Sequence, residues 1–171
     1  IPIARTPKSI YTKLIRQMAE RKNLTHADFI EAGVGYSPDD PYWEAFAIFP
    51  VVEYRMNVYY QGRTYTDVPG EPTKRFPSRK YVKWGAGYWV YNIDEVREKK
   101  PEIVVVVESI LNVLSLRKKL RQLGWDKTIV RVCVFKHSIS QVQAAKLFRC
   151  KGIKEFCLLF DHDAIDKTWK M

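Results

Sequence analysis

The rhythm of apolar and polar positions changes near residue 101. Before that point, Ile10, Leu14, Ile15 and Met18 recur at helical spacing behind Pro7 and predict a helix over 8–21. Thr25 is placed to cap a second, short helix that ends near Ala32, with Gly33 as its stop. Gly35 to Pro41 is dense in turn formers and reads as a loop. Residues 45–52 and 57–60 read as strands, and Gln61-Gly62 as a turn that delivers Arg63. Residues 66–79 hold three prolines, a glycine and several charges, which predicts a long exposed loop. A short strand is expected at 80–83, after which Gly85-Ala86-Gly87 turns the chain into Tyr88-Trp89-Val90-Tyr91.

From Pro101 the pattern alternates strand and helix. Residues 103–107 read as a strand, and 109–123 as a helix closed by Gly124, with Ile110, Val113, Leu114, Leu120 and Leu123 inward. A second strand is expected over 129–135. Ser140 is placed to cap a helix running through Phe148 and ending near Gly152, and 155–160 reads as a third strand. Alternation at these lengths implies a parallel sheet with right-handed crossovers. The expected architecture is therefore an α+β subdomain over 1–100, followed by an α/β, Rossmann-like subdomain with a central parallel sheet over 101–171. The chain begins at Ile1 without a methionine and stops at Met171, a few residues into a helix expected after Asp163. It is expected to be a fragment, with the second subdomain truncated at its C-terminal end.

Two of these apolar runs end abruptly in carboxylate. Val104 to Val107 leads into Glu108, and Phe156 to Phe160 into Asp161-His162-Asp163. Runs of this kind are strands buried on both faces of a parallel sheet. Ligands of such sheets gather at the carboxyl ends of the strands. Three carboxylates converging there repel one another unless a cation lies between them. Hard oxygen donors favour Mg²⁺ or Mn²⁺. Asn112, one helical turn after Glu108 and on the same face, could orient it or ligate weakly. The plainer alternative is that these carboxylates are surface groups at strand ends that cap the helices following them.

Composition narrows the partner. The chain has 171 residues, 46% hydrophobic and 13% aromatic, with a net charge of +10 and a pI near 9.5. That charge favours a polyanion, nucleic acid before membrane, since no apolar stretch is long enough to span a bilayer. No signal peptide is evident. The three cysteines have no metal-type spacing; Cys133 and Cys157 lie inside apolar strands and read as core, which suits a reducing cytosol. Arg63, Arg79, Lys80 and Lys83 lie on or beside loops, with Tyr81 and Trp84 interleaved, a pattern suited to phosphate contacts and base stacking. Arg117-Lys118-Lys119 with Arg121 reads as the solvated face of a helix.

The order of a strand ending in Glu, a helix, a middle strand, a helix, and a strand ending in Asp-x-Asp resembles the Toprim domain of primases, topoisomerases and some nucleases. The upstream half resembles bacterial-type (DnaG-like) primases. Asn23-Leu24-Thr25, Phe29 and Gly33-Val34-Gly35-Tyr36 are similar to their helical entry segment, and Phe46 to Val51 to the strand that follows it. Gln61-Gly62-Arg63 resembles their Gly-Gly-Arg turn, Lys80-Tyr81 their Lys-Tyr motif, and Tyr88 to Asn92 the Leu-Tyr-Gly segment before the Toprim strand. Phe135 to Leu147 corresponds in position to their Gly-Thr loop and helix. The resemblance runs from about residue 10 to 168 and points to a viral or otherwise divergent member.

This resemblance implies DNA-templated synthesis of short RNA primers by metal-dependent nucleotidyl transfer. Glu108, Asp161 and Asp163 would hold Mg²⁺ or Mn²⁺, with general-base action as the alternative for Glu108. Arg63 and Lys80 would track the single-stranded DNA template or the RNA–DNA hybrid through phosphates. Lys136, His137 and Lys167 would lie near the site, with Lys136, Lys167 and Asn112 as candidates to meet nucleoside triphosphate. The implied partners include a replicative helicase. Zinc is implied only if a zinc-binding module precedes this segment, and the implied location is the cytoplasm of a bacterium or virus-infected host cell. Three departures stand against the family pattern. Ser109 and Asn112 replace its Gly and Asp, Lys136-His137 replaces Gly-Thr, and Asp161-His162-Asp163-Ala164-Ile165-Asp166 replaces Asp-Gly-Asp-x-Ala-Gly. Losing two glycines puts side chains where backbone otherwise approaches ligand. A nucleic-acid-binding module with a decayed site therefore remains an alternative. A Toprim nuclease or topoisomerase fragment is another, which the first subdomain disfavours.

Overall fold

A computed structural model describes residues 16, 18–20, 22–37, 39–43, 46–64, 74–78, 80 and 82–160. Most of the helix predicted over 8–21 lies outside these, but Arg16, Met18 to Glu20 and Lys22 are helical, and Met18 and Ala19 are buried. Helix α1 (His26–Glu31) starts on a capping box. The Thr25 hydroxyl accepts from the Asp28 N–H at 3.4 Å, and the Asp28 carboxylate accepts from the Thr25 N–H at 2.6 Å. Gly33 ends it at φ +66°, a conformation that side chains resist.

Strands β1 (Phe46–Glu53) and β2 (Met56–Thr64) form an antiparallel hairpin, and β3 (Lys74–Arg75) pairs with the far end of β2. Three expectations are corrected here. Gln61-Gly62 is not a turn; both residues lie within β2, opposite Phe49 and Ile48. Gly62 serves close packing instead, because a Cβ there would meet the Trp43 ring at 2.8 Å and Phe46 at 3.1 Å. The stretch expected as one loop over 66–79 is interrupted by β3, and none of the described residues of 80–83 lies in a strand: Lys80 is in a turn, and Lys83 and Trp84 form a bend.

The hairpin turn is Tyr54-Arg55, both at positive φ without glycine. Two-residue hairpins demand this geometry, and here a third element holds it. The Tyr54 and Arg55 N–H groups donate to the Asp94 carboxylate at 3.0 and 2.9 Å. Asp94 opens helix α2 (Ile93–Lys99), an element the sequence pattern did not announce. Burial raises the Asp94 carboxyl, but those two N–H groups and Arg97 outweigh it and hold it below its ordinary value.

The second sheet is parallel, ordered β5 (Ile129–Cys133), β4 (Ile103–Val107), β6 (Glu155–Leu159). Helices α3 (Ile110–Gln122) and α4 (Gln141–Phe148) connect its strands. Ser140 caps α4 with a full capping box, as its position predicts. Strand β4 is buried from Val104 to Val107. Val104 and Val106 join Val130, Val132, Ile93, Val96 and Leu147 on one side. Val105 and Val107 join Cys133, Ile110, Val113 and Leu114 on the other, in a cluster that continues into Phe29, Phe49, Val51 and Tyr59. One core thus includes residues from both sides of position 101. Leu123, expected inward, is the C-cap of α3 and 47% exposed; Leu111 is buried in that helix instead. The basic face of α3 is also not simply solvated. Arg117 and Arg121 bond Glu31 of α1, and the Lys118 ammonium donates to the Asn23 carbonyl at 2.7 Å.

Asp94→Ala should destabilise the protein by about 1 kcal/mol, since it removes a charged acceptor from two backbone donors of an exposed turn. The depressed carboxyl contributes fully above its unfolded value of about 3.9 and loses that contribution as pH falls through the folded value. Urea unfolding should therefore show the full difference from the parent at pH 7 and a shrinking one below about pH 4. An equal difference at every pH would contradict the role of the charge.

Candidate functional site at the strand ends

Glu108 follows β4 directly and is 4% exposed, at the carboxyl end of the central strand. Ser109 is the N-cap residue of α3, but its hydroxyl makes no capping bond. It accepts instead from the Arg63 guanidinium at 3.3 Å. Arg63 comes from the antiparallel sheet, so the two sheets meet at this point. Burial pulls the Arg63 guanidinium below its ordinary value, an effect that Cys133 and Glu108 oppose. Lys74 lies directly across from Arg63 in the sheet register.

On the neighbouring strand, Cys133 ends β5 beside Val107. Phe135 then takes a left-handed conformation at φ +67° and redirects the chain. Its N–H donates to the Cys133 sulfur at 3.3 Å. The redirected loop carries Lys136, which is exposed, and brings His137 Nδ1 to 2.5 Å from Glu108 Oε2. Burial pushes the Cys133 thiol up to about 12, with the Phe135 N–H, Lys74 and Arg63 pulling the other way. Cys133 is therefore a neutral core thiol, as the sequence pattern expects, and no nucleophile.

The residues expected to act together divide into three groups. Glu108 and Arg63 are brought to one place through Ser109. Asn112 lies one turn along α3; its N–H bonds the Ser109 carbonyl at 3.1 Å, and its side chain accepts from Lys22 at 3.4 Å. Lys80 and Lys83 are exposed on the connection between the sheets, and Lys83 places its ammonium 5.3 Å from the Trp84 ring centroid. Asp161, Asp163, Lys167 and Arg79 lie outside the described residues. The β6 register sets Leu159 beside Val107. Among the described residues, no three His, Cys, Asp or Glu side chains are grouped to hold a metal ion. Arg63, expected to follow template or hybrid phosphates, is bonded to Ser109, next to Glu108. Lys74 was missed because only strand register, not sequence spacing, brings it opposite Arg63.

Comparison with solved structures places this arrangement in a known architecture. The catalytic core of E. coli primase superposes with a TM-score of 0.65 over 95% of this chain and 60% of its own, at 16% identity. The chain has the fold of a bacterial primase catalytic core. The zinc-binding and RNA polymerase domains of Aquifex aeolicus primase match at a TM-score of 0.66 and 13% identity, over 94% of this chain and 46% of that one. The RNA polymerase domain of Mycobacterium tuberculosis primase DnaG matches at 0.63 and 13% identity, over 91% and 62%. The chain thus spans about half to three-fifths of these primase structures. No family model matches it, and no curated protein does. The likeness is one of fold, and it agrees with the motif order in the sequence.

The thiol chemistry gives a direct check on the site's packing. In a variant with Cys150→Ala and Cys157→Ala, a thiol-reactive disulfide reagent at pH 8 should label Cys133 only as fast as the protein unfolds. Labelling complete within seconds in the folded state would place Cys133 at the surface and overturn the geometry around Glu108.

Proposed function

We propose that this chain is the RNA-polymerising core of a DNA primase, making short RNA primers on single-stranded DNA by metal-dependent nucleotidyl transfer. The observation that carries this reading, beside the fold, is the meeting of Glu108 with Arg63 and Ser109 at the carboxyl end of the central strand. A buried anionic oxygen donor at that edge suits a hard divalent cation. Glu108 with Asp161 and Asp163 would hold Mg²⁺ or Mn²⁺. When bound, the cation would polarise the α-phosphoryl group and stabilise the leaving pyrophosphate.

The chain's own residues set up the rest. The Arg63 guanidinium, half-buried and fixed by Ser109, is a donor for a phosphate of the template or hybrid. Its fixed position lowers the entropy lost when that phosphate arrives. Lys74, opposite it in the register, adds a second positive charge, and exposed Lys136 can meet nucleotide phosphate from the neighbouring strand end. Asn112 holds the first turn of α3 against the preceding helical segment through Lys22. Among the described residues no helix is long and apolar enough to cross a membrane. The triphosphate substrates, a replicative helicase partner and a cytoplasmic location belong to the same proposal.

One observation favours a second reading. His137, in place of the family's small loop residues, sits 2.5 Å from a Glu108 oxygen that a cation would need. In a decayed module that contact would persist and the site would bind nucleic acid without catalysis.

Primer synthesis by the full-length protein on single-stranded DNA, with ribonucleoside triphosphates and Mg²⁺ or Mn²⁺, separates the two. The primase reading expects metal-dependent RNA synthesis that falls on the order of a hundredfold or more in Glu108→Ala and in Asp161→Ala, with template binding largely kept. Arg63→Ala should lower both synthesis and affinity, and should flatten the dependence of log affinity on log salt by about 0.7, the value of one phosphate contact on a single strand. Template binding without any RNA product, unaltered by Glu108→Ala, would establish the decayed module instead.

A further inference from the structure

Away from the strand-end site, the β1–β2 hairpin, the segment over 84–89 and the end of α4 line an open cavity of about 490 Å³. Its lining is aromatic and cationic together. The Trp84 and Tyr88 rings are stacked, with centroids 4.7 Å apart and planes 12° apart, and Trp89 meets Tyr88 edge-on at 4.8 Å. Trp84 is 43% exposed, while Tyr54 and Met56 of the hairpin are 68% and 62% exposed. Beneath these rings the buried Glu53 carboxylate accepts from Arg97 at 2.7 Å and from Lys146 at 2.6 Å. The Lys146 ammonium also sits 4.2 Å from the Tyr88 centroid and 4.4 Å from that of Trp89. Arg97 also donates to Asp94 at 2.8 Å, so two carboxylates balance Arg97 and Lys146; Arg149 adds a further cation to the lining, and Lys83 approaches the Trp84 ring.

We propose that this cavity is a second contact for single-stranded DNA, taking a base onto the Trp84–Tyr88 stack and phosphate onto Arg149 and Lys83. A lining with excess positive charge and half-exposed flat rings selects an anion that carries a flat π surface. Nucleobases all present such a face, so stacking on exposed aromatics is tolerant of sequence. The volume is that of a site for a small organic group, and its openness admits a continuous strand. Glu53 and Asp94 offset Arg97 and Lys146, and Glu53 pins Lys146 against the rings; Arg149 and Lys83 carry the excess positive charge. The site would hold the strand at a second point, away from the residues that meet at Glu108. The choice of polymer rests on the primase reading, so the test contains neither nucleotide nor metal.

Anisotropy of a labelled oligothymidylate, in chelator and at fixed salt, is compared on the full chain with that of an abasic strand of equal length. Trp84→Ala should weaken binding of the normal strand about tenfold and leave the abasic strand unchanged. Trp84→Phe should restore most of the loss, and Arg149→Glu should weaken both strands. Affinities for the normal strand within about twofold of the parent in Trp84→Ala, with thermal unfolding unchanged, would overturn the proposal. Equal losses on both strands would do the same. So would quenching of Trp84 by free thymidine monophosphate, or by a short Asp-Phe peptide, under conditions where the strand does not quench it; the cavity would then belong to a nucleotide or a peptide. A Trp84-dependent strand affinity in a protein that makes no primers would keep this site and remove the polymerase reading alone.

Discussion

Everything at the candidate site depends on β4 being buried on both faces. Val104 to Val107 offers no polar side, so each face must be covered by another layer. Helices α2 and α4 contribute to one covering cluster. Helix α3 and the antiparallel sheet contribute to the other. Covering the second face with that sheet brings the far end of β2 to the end of β4, and Arg63 arrives beside Ser109. The meeting of a guanidinium from one sheet with the strand-end glutamate of the other is therefore a consequence of core packing. Burial of this kind is worth roughly 25 cal/mol per Å² of apolar surface, far more over a whole strand than one partly buried hydrogen bond. The core sets the position, and the polar contacts refine it.

Two networks pair charges that this packing buries. Arg131, fully buried on β5, donates to Glu95 of α2 at 2.8 Å, and Glu95 also takes Lys99 at 2.9 Å. Burial raises the Glu95 carboxyl, but Arg131 and the other donors prevail and hold it below its ordinary value. Glu53 is matched in the same way by Arg97 and Lys146. Leaving either carboxylate without its cations would cost several kcal/mol. Helix α2 supplies a partner to each network and also holds the hairpin turn through Asp94, so seven helical residues tie the hairpin, the parallel sheet and α4 together.

The sequence was most legible where periodicity and punctuation agree. The β/α alternation after residue 101, the caps at Thr25 and Ser140, and the stops at Gly33 and Gly124 all stand as expected, because each rests on local rules. Failures came where a neighbour distant in sequence decided the outcome. Gly62 looks like turn chemistry, but it is a glycine because the Trp43 ring fills the space of a side chain. Helix α2 is short and highly charged, and its role lies in Asp94 and Glu95 reaching partners on other elements. Glu108 could be singled out from sequence as the end of an apolar run, and the motif order set His137 near it; its closeness to Arg63 could not be read, since it arises from two sheets meeting.

Crystals of the full-length protein soaked in Mn²⁺ and measured for anomalous scattering test the account most directly. It predicts a peak bonded to a Glu108 oxygen and to at least one of Asp161 and Asp163, at about 2.0–2.6 Å, with His137 displaced from that oxygen and Arg63 still on Ser109. Full occupancy of other sites, with His137 still against Glu108 and no peak at the end of β4, would contradict it.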